Sequence, residues 1–150
     1  MNAVHDTMST SPVTVEPTTS IGQLLVLFDR YDFNAFPVVG QRNRLLGIIS
    51  KLDVLRLLLG RRRSTPSATD VSATTYVADV MRRQAVSVEP RDSINTAGNL
   101  MVVMNLRSLP VVERREGRSV LVGMLSRGDV LRSLRSQLVE GRYVRQEKAS

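Results

Sequence analysis

The chain has 150 residues, a net charge of +7 and no cysteine, and 42% of its residues are hydrophobic. That hydrophobic fraction is sufficient for a packed interior, so a disordered chain is excluded, and the lack of cysteine excludes disulfides and thiolate metal sites. The N-terminus has no secretory signal pattern, and no apolar run approaches the roughly 20 residues of a membrane span. We therefore expect a cytoplasmic protein without a transmembrane segment.

Arginine carries almost all of the positive charge, since Lys51 and Lys148 are the only lysines. An excess of positive charge favours anionic partners such as nucleotides, nucleic acids or acidic protein surfaces. Part of this charge stands outside any predicted element, at 61–63 and at Arg142 and Arg145. We interpret those arginines as solvated ends of the fold rather than as a binding groove.

The first predicted elements are a short strand and a helix. Val13-Thr14-Val15 alternates apolar and polar residues, which is typical of a strand, and Pro17 ends it. Ser20 is a typical N-cap. The apolar residues after it recur at helical spacing, at Ile21, Leu24, Leu25, Phe28 and Tyr31.

A hairpin and a second helix follow. Residues 36–39 and 45–49 are β-rich runs on either side of a polar, glycine-containing segment, which predicts a hairpin. Ser50 and Asp53 then stand three residues apart before an apolar run, a pattern typical of a helix capping box. Gly47 lies three residues before Ser50, and its missing side chain is expected to leave room for something to approach the backbone.

The whole series of elements occurs twice. With an offset of 73 positions, residues 6–39 match 79–112, and after a three-residue insertion in the hairpin loop, 45–56 match 121–132. The chain is therefore a tandem duplication of a β-α-β-β-α unit, which predicts an α+β fold. We predict a first repeat at 6–59, a linker at 60–78, a second repeat at 79–138 and a flexible tail at 139–150.

The duplicated Ser-x-x-Asp motif has two interpretations. As a capping box it would stabilise each helix by about 1 kcal/mol and would need no ligand. Alternatively, a strand that leads into a helix N-terminus offers free N–H groups to an anion, and a hydroxyl and a carboxylate one turn apart can bind a neighbouring sugar diol. The residues by themselves leave both interpretations open.

Two such units, each with an apolar-Pro-Val-Val step (FPVV, LPVV) and a closing Gly-apolar-apolar-Ser-x-x-Asp, resemble a pair of cystathionine-β-synthase-type (CBS) domains. The resemblance covers roughly residues 6–59 and 79–138, and it implies two repeats packed pseudo-symmetrically as one module. Such modules commonly bind adenine nucleotides (AMP, ADP or ATP) in clefts between the repeats, and sometimes S-adenosylmethionine. They are regulatory and commonly dimerise.

The resemblance also implies roles for individual residues. Asp53 and Asp129 match the acid that binds the ribose hydroxyls, and Ser50 and Ser126 match the residue beside the ribose and phosphate. The positions that match adenine-lining segments are Ser11, Pro12, Val13, Phe36, Pro37, Gln84, Ala85, Val86, Leu109 and Pro110. For the apolar members of this set, ordinary core packing is the alternative.

Basic residues near the two motifs are candidates for phosphate binding, namely Lys51, Arg56, Arg107, Arg127 and Arg132. Three positions before the proline of each apolar-Pro step, members of the family often carry a phosphate-contacting basic residue. This chain has Asn34 in the first copy and Arg107 in the second. We therefore expect the two sites to be unequal.

The function implied by the resemblance is that of a stand-alone regulatory protein that binds an adenine nucleotide, forms a homodimer and signals to an unidentified protein through its shape or affinity. One alternative is a ligand-free dimeric scaffold whose Ser–Asp pairs only cap helices. Another is nucleic-acid binding through the arginine-rich surface, which is disfavoured because three Phe and three Tyr, with no Trp, offer no stacking platform. His5 is the only histidine, and we predict no catalytic residue and no metal site.

Overall fold

The computed structural model describes residues 2–60 and 74–149. In chain order the elements are a 3-10 helix (Val4–Asp6), β1 (Ser9–Thr10), α1 (Ile21–Arg30), β2 (Ala35–Val39), a second 3-10 helix (Gln41–Asn43), β3 (Leu45–Ser50), α2 (Lys51–Gly60), α3 (Val77–Val80), α4 (Ile94–Val103), β4 (Ser108–Arg115), β5 (Arg118–Ser126) and α5 (Arg127–Ala149). The predicted α+β class is confirmed. Most of the predicted linker, 61–73, lies outside the described residues, together with the arginines at 61–63.

The serines predicted as N-caps begin their helices as expected. Ser20 Oγ accepts the Gln23 N–H over 3.1 Å, and the Gln23 side chain accepts the Ser20 N–H over 3.0 Å. Ser93 Oγ accepts the Thr96 N–H over 3.1 Å at the start of α4. Each cap satisfies an N–H that the first helical turn leaves without a partner, and the two predictions are confirmed.

One compact unit comprises Val13–Ala85 and Arg114–Leu121, and we call it the first-repeat unit. In it β2 and β3 pair antiparallel, with Ala35 opposite Ser50, so the predicted first hairpin is confirmed. Its core consists of Val15, Ile21, Leu24, Phe36, Val38, Ile49, Val54, Val77 and Met81. The pairing brings the start of β2 beside Ser50, where α2 begins.

The other compact unit, which we call the second-repeat unit, comprises Met1–Pro12, Val86–Glu113 and Val122–Ser150. Its sheet has the strand order β1-β5-β4, and Ser9 and Thr10 of β1 lie opposite Met124 and Gly123 of β5. Its core consists of Val4, Val88, Ile94, Ala97, Met101, Leu109, Val111, Leu125 and Val130. This arrangement places β5 directly before α5, as β3 stands before α2.

The two compact units do not coincide with the two repeats of the sequence, because each unit takes its first segment from the other repeat. Val4 precedes the first repeat but is fully buried in the second-repeat unit, and Val77 is fully buried in the first-repeat unit. The backbone hydrogen bonds of the two residues are equivalent: Val4 N–H donates to Asp92 O over 2.8 Å, and Val77 N–H donates to Thr19 O over 2.8 Å. The duplication therefore includes Val4 and Val77, which lie two residues before the predicted start of each repeat.

Three predicted segments differ from the structure. The predicted strand at 13–15 makes one parallel bridge, Val15 to Val38, and Pro17 lacks the N–H that would donate at the next position of the ladder. Thr75, within the predicted linker, is 7% exposed. The predicted tail at 139–150 is helical as far as Ala149, because α5 continues to that residue, and its flexibility stays a prediction.

Candidate functional site

Ser50 and Asp53 form a half-buried pair where β3 ends and α2 begins. Ser50 N–H donates to Asp53 Oδ2 over 3.0 Å, and Asp53 N–H donates to Ser50 Oγ over 3.1 Å. The two bonds satisfy N–H groups that a helix start leaves without intrahelical partners. The capping-box interpretation is therefore confirmed for this pair.

The same geometry recurs in the second copy. Ser126 N–H donates to Asp129 Oδ2 over 2.8 Å, and Asp129 N–H donates to Ser126 Oγ over 3.1 Å. An ionised carboxylate has about four acceptor positions, so the cap uses only part of the capacity of each aspartate. Capping and ligand binding by these pairs are therefore compatible.

An arginine contacts the second oxygen of each carboxylate, and the two arginines come from different parts of the chain. Arg82 Nε donates to Asp53 Oδ1 over 3.2 Å, whereas Arg132, one turn along the same helix, contacts Asp129 Oδ1. Both aspartate side chains are 9% exposed. At that burial an ionised carboxylate needs a partner, and the arginines supply it.

Arg82 was not among the predicted site residues, because it stands 29 positions from Asp53 in the sequence. It reaches the site through the backbone: Ile48 and Arg82 exchange both of their N–H···O bonds, at 3.0 and 2.9 Å. In the duplicated Asp-x-Met segment its counterpart is Ser9, which pairs with β5. Arg82 could have been predicted as a site residue only if the pairing of its segment with β3 had been known.

The space predicted beside the two motif glycines is filled by the chain itself. A Cβ on Gly47 would lie 2.4 Å from Arg82 O, and one on Gly123 would lie 2.8 Å from Ser9 O. Side chains at these positions would collide with backbone. The group that approaches each glycine is the segment contributed by the other repeat, so the predicted room is occupied by backbone.

The apolar-Pro steps belong to the two cores. Phe36 and Leu109 are fully buried, and Pro37 and Pro110 are buried beside them. Their side chains pack in the cores, as the core-packing alternative predicts. The adenine-lining role of these four positions stays a prediction.

The other predicted adenine-lining residues are divided between the units. Val13 and Val86 are half-buried and pack against the cores of the first-repeat and second-repeat units, respectively. The remaining four are Ser11 and Pro12 in the second-repeat unit and Gln84 and Ala85 in the first-repeat unit. In the first-repeat unit, which holds Ser50 and Asp53, Val13 is thus the half-buried apolar residue of the first repeat that was predicted to line the adenine.

The backbone places Asn34 and Arg107 at equivalent positions beside the two motifs. Asn34 O accepts the Lys51 N–H over 2.9 Å at the start of α2, and Arg107 O accepts the Arg127 N–H over 3.2 Å at the start of α5. The two helix starts are therefore built alike. Only the second carries a basic side chain at this position.

The other basic candidates have varied surroundings. Lys51 Nζ lies 5.9 Å from the centroid of the Phe28 ring. Arg127 donates from Nε to Leu106 O over 2.8 Å and from Nη2 to Asn105 Oδ1 over 3.1 Å, at the end of α4. Arg56 is exposed one turn beyond Asp53. Of the predicted phosphate candidates, Arg132 contacts its motif carboxylate directly.

A cavity of about 710 Å³ lies between α4 and α5, and neither Ser126 nor Asp129 is among its lining residues. Its lining is largely apolar and includes Met101, Val102, Leu131 and Leu134, with Arg127 at its edge. This hollow is a groove between two helices and not a pocket around the motif. Its chemistry fits apolar side chains better than a charged nucleotide.

The described part of the chain holds neither a metal cluster nor a membrane-crossing helix. Within residues 2–60 and 74–140, no three His, Asp or Glu side chains are grouped closely enough to hold a metal ion. None of the helices described between residues 2 and 149 combines the length and the apolar character that a membrane crossing requires.

Comparisons with known proteins agree with this geometry. Residues 4–60 and 77–136 match the family model of the CBS domain. Over 130 residues the chain is 32% identical to the CBS domain-containing protein YhcV of Bacillus subtilis, and the match covers 87% of this chain and 84% of that protein.

Solved structures of CBS pairs have the same fold. The structure of CBSX2 of Arabidopsis thaliana in complex with AMP has a TM-score of 0.75 and 28% identity, and the match covers 91% of this chain and 98% of that one. The CBS domain pair of protein MJ0100, in complex with 5′-methylthioadenosine and S-adenosyl-L-methionine, has a TM-score of 0.73 at 20% identity, with the same coverage, which is a likeness of fold. With both repeats matched in sequence and in structure, this chain belongs to the CBS-domain family as a tandem pair.

Proposed function

We propose that this protein is a regulatory CBS-pair protein that binds an adenine nucleotide at the Ser50–Asp53 and Ser126–Asp129 pairs. AMP, ADP and ATP are the proposed ligands, with S-adenosylmethionine as an alternative. Binding shifts the population of conformations and thereby changes the affinity for a regulated protein, and no chemical step is involved. The AMP complex of the similar protein CBSX2 supports an adenosine-containing ligand.

The observation that carries the proposal is the state of the two aspartates. Each carboxylate is 9% exposed, held by a backbone N–H on one oxygen and by an arginine on the other. Such a group is already oriented, so it can accept hydrogen bonds from two adjacent ribose hydroxyls at little entropic cost. A carboxylate that only caps a helix needs neither the arginine nor this burial.

The competing function, a ligand-free scaffold, is supported by the completed capping boxes. A titration separates the two functions. Calorimetry with AMP, ADP, ATP and S-adenosylmethionine is expected to detect binding. The double variant Asp53→Asn with Asp129→Asn is expected to lose at least about tenfold in affinity, because charged acceptors contribute roughly 1.5–3 kcal/mol per hydrogen bond.

The chain offers a matched control for this experiment. Asp6 and Asp79 accept the N–H groups of Ala3 and Tyr76, each over 3.0 Å, and so make the same type of cap at two helices outside the Ser-x-x-Asp motifs. Asp6→Asn with Asp79→Asn should leave ligand affinity unchanged. No binding by any of the four ligands would favour the scaffold function. Equal affinity in both double variants would show that the motif aspartates do not bind the ligand.

We also propose that the protein is a homodimer joined through helix faces. Large apolar side chains are exposed on the helices, among them Val26 (63%), Leu55 (51%), Val102 (81%) and Leu131 (66%). Leu55 and Leu131 are equivalent residues of α2 and α5, so both units present the same apolar position. Exposed apolar surface of this kind marks an interface, and a second copy of the chain would cover it.

A further inference from the structure

The positive charges around the two motifs are distributed differently in the two copies. The second motif has Arg107 at the position that precedes its helix start, where the first motif has Asn34. Conversely, the first motif has Arg82 on the segment that pairs with its strand, where the second has Ser9. Each motif therefore has one basic residue at these two positions. It is Arg82, on the paired segment, at the first motif and Arg107, before the helix start, at the second.

Arg82 is held in place by its backbone. Its N–H and C=O both bond to Ile48, and its carbonyl lies so close to Gly47 that a Cβ there would be 2.4 Å away. The side chain then extends to Asp53 Oδ1. A guanidinium placed in this way loses little freedom when it binds a further group.

Arg82 has further donors on the solvent side of the site. The guanidinium carries five N–H donors, and the hydrogen bond to Asp53 uses Nε alone. The Arg82 side chain is 57% exposed, whereas that of Asp53 is 9% exposed. Its remaining donors form a fork that matches a phosphate, beside a carboxylate that can hold a sugar.

We propose that Arg82 binds the phosphate of the nucleotide at the Ser50–Asp53 site and replaces the basic residue missing at Asn34. Through the shared contact with Asp53 Oδ1 it links ribose recognition to phosphate recognition. The Ser50–Asp53 site therefore discriminates a nucleotide from its nucleoside, and the residue that does so comes from the segment that follows the linker. This inference rests on the proposed function.

A site-resolved titration tests the proposal. NMR spectra of the full chain are recorded with AMP and with adenosine, and the amide shifts of Asp53 and Asp129 report the two sites separately. In the wild-type protein AMP should bind at Asp53 about tenfold more tightly than adenosine, since charge-assisted hydrogen bonds to the phosphate are absent in the nucleoside. Arg82→Ala should reduce the ratio of AMP affinity to adenosine affinity at Asp53 to about one, mainly because AMP binding is weakened. Arg82→Lys should retain part of this ratio.

Arg83→Ala is the matched control, since Arg83 is the next residue and donates to Ala78 O over 3.3 Å rather than to Asp53. It should keep the wild-type ratio, and the ratio at Asp129 should be unchanged in every variant. An unchanged AMP-to-adenosine ratio at Asp53 in Arg82→Ala overturns the inference. An equal loss of both ligands also overturns it, because Arg82 would then only orient Asp53. If neither ligand shifts the Asp53 amide of the wild type, the proposed function fails as well.

Discussion

A single missing side chain allows a distant segment to reach each motif. At Gly47 a Cβ would meet Arg82 O at 2.4 Å, a contact that neither backbone segment can relieve by rotating a side chain. At Gly60, the last residue of α2, no atom of the described residues lies within 4 Å of the position a Cβ would take, apart from the helix's own backbone and the chain neighbours. The two positions therefore tolerate a side chain differently, although both lie in regular secondary structure, Gly47 in β3 and Gly60 in α2.

Gly47→Ala should lower the free energy of unfolding by about 1–3 kcal/mol, because the added methyl forces the Ile48–Arg82 pairing apart. Gly60→Ala should change it by less than about 0.5 kcal/mol. Urea unfolding followed by circular dichroism measures both. Identical midpoints for the two variants would show that the Arg82 segment can move away from β3 without loss.

Residues whose role is set by near neighbours could be predicted from the sequence, and residues whose role is set by distant ones could not. Ser20 and Ser93 cap helices through groups three residues away, and Ser50 with Asp53 follows the same local rule. Arg82 depends on which strand its segment joins. That choice is made by tertiary packing and leaves no periodic signal.

At the scale of elements, the helices bury one face in a core and leave apolar side chains on another. In α5, Val130 is 5% exposed and the next residue, Leu131, is 66% exposed. In α2, Val54 is 3% exposed and Leu55 is 51% exposed. Both faces were apolar in the sequence, so hydrophobic spacing predicted the helices but did not tell which leucines the monomer would bury.

A charge at the equivalent exposed leucines should dissociate the dimer. Leu55→Glu with Leu131→Glu would bury two carboxylates per chain in an apolar interface, which is strongly unfavourable. Sedimentation equilibrium should give twice the 16.7 kDa chain mass for the wild type and 16.7 kDa for the variant. Arg91→Glu, in an exposed loop, is the control and should remain dimeric. A wild-type mass of 16.7 kDa would contradict the proposed dimer.

At the scale of the whole molecule, stability is organised by compact units that each combine segments of both repeats. Val4 belongs to the core of the unit that contains β4 and β5, and Val77 belongs to the core of the unit that contains β2 and β3. The duplication was visible in the sequence because its residues recur in order. The placement of each repeat's first segment in the core of the other unit was not visible in the sequence, because the same local pattern could pack with either set of strands.

Hydrogen exchange can show which segments share a unit. Val4→Ala should accelerate exchange of the Val88 and Val112 amides, and Val77→Ala should accelerate that of Val15 and Val39, each by about tenfold or more, since a truncated buried valine loses roughly 1.5–3 kcal/mol. Val102→Ala, at an 81% exposed position, should change none of these amides. If each core variant accelerated exchange of all four amides equally, the two compact units would not open separately, and the prediction would be wrong.

The position of Val4 also sets the timing of folding during synthesis. Val4 and His5 leave the ribosome well before their hydrogen-bonding partners Asp92 and Pro90, and β1 must wait for Gly123 and Met124. At about 5–20 residues per second, this segment of the nascent chain stays without its core for several seconds. A chaperone or protease would find it exposed throughout that interval, and a translational pause after the first repeat would prolong it.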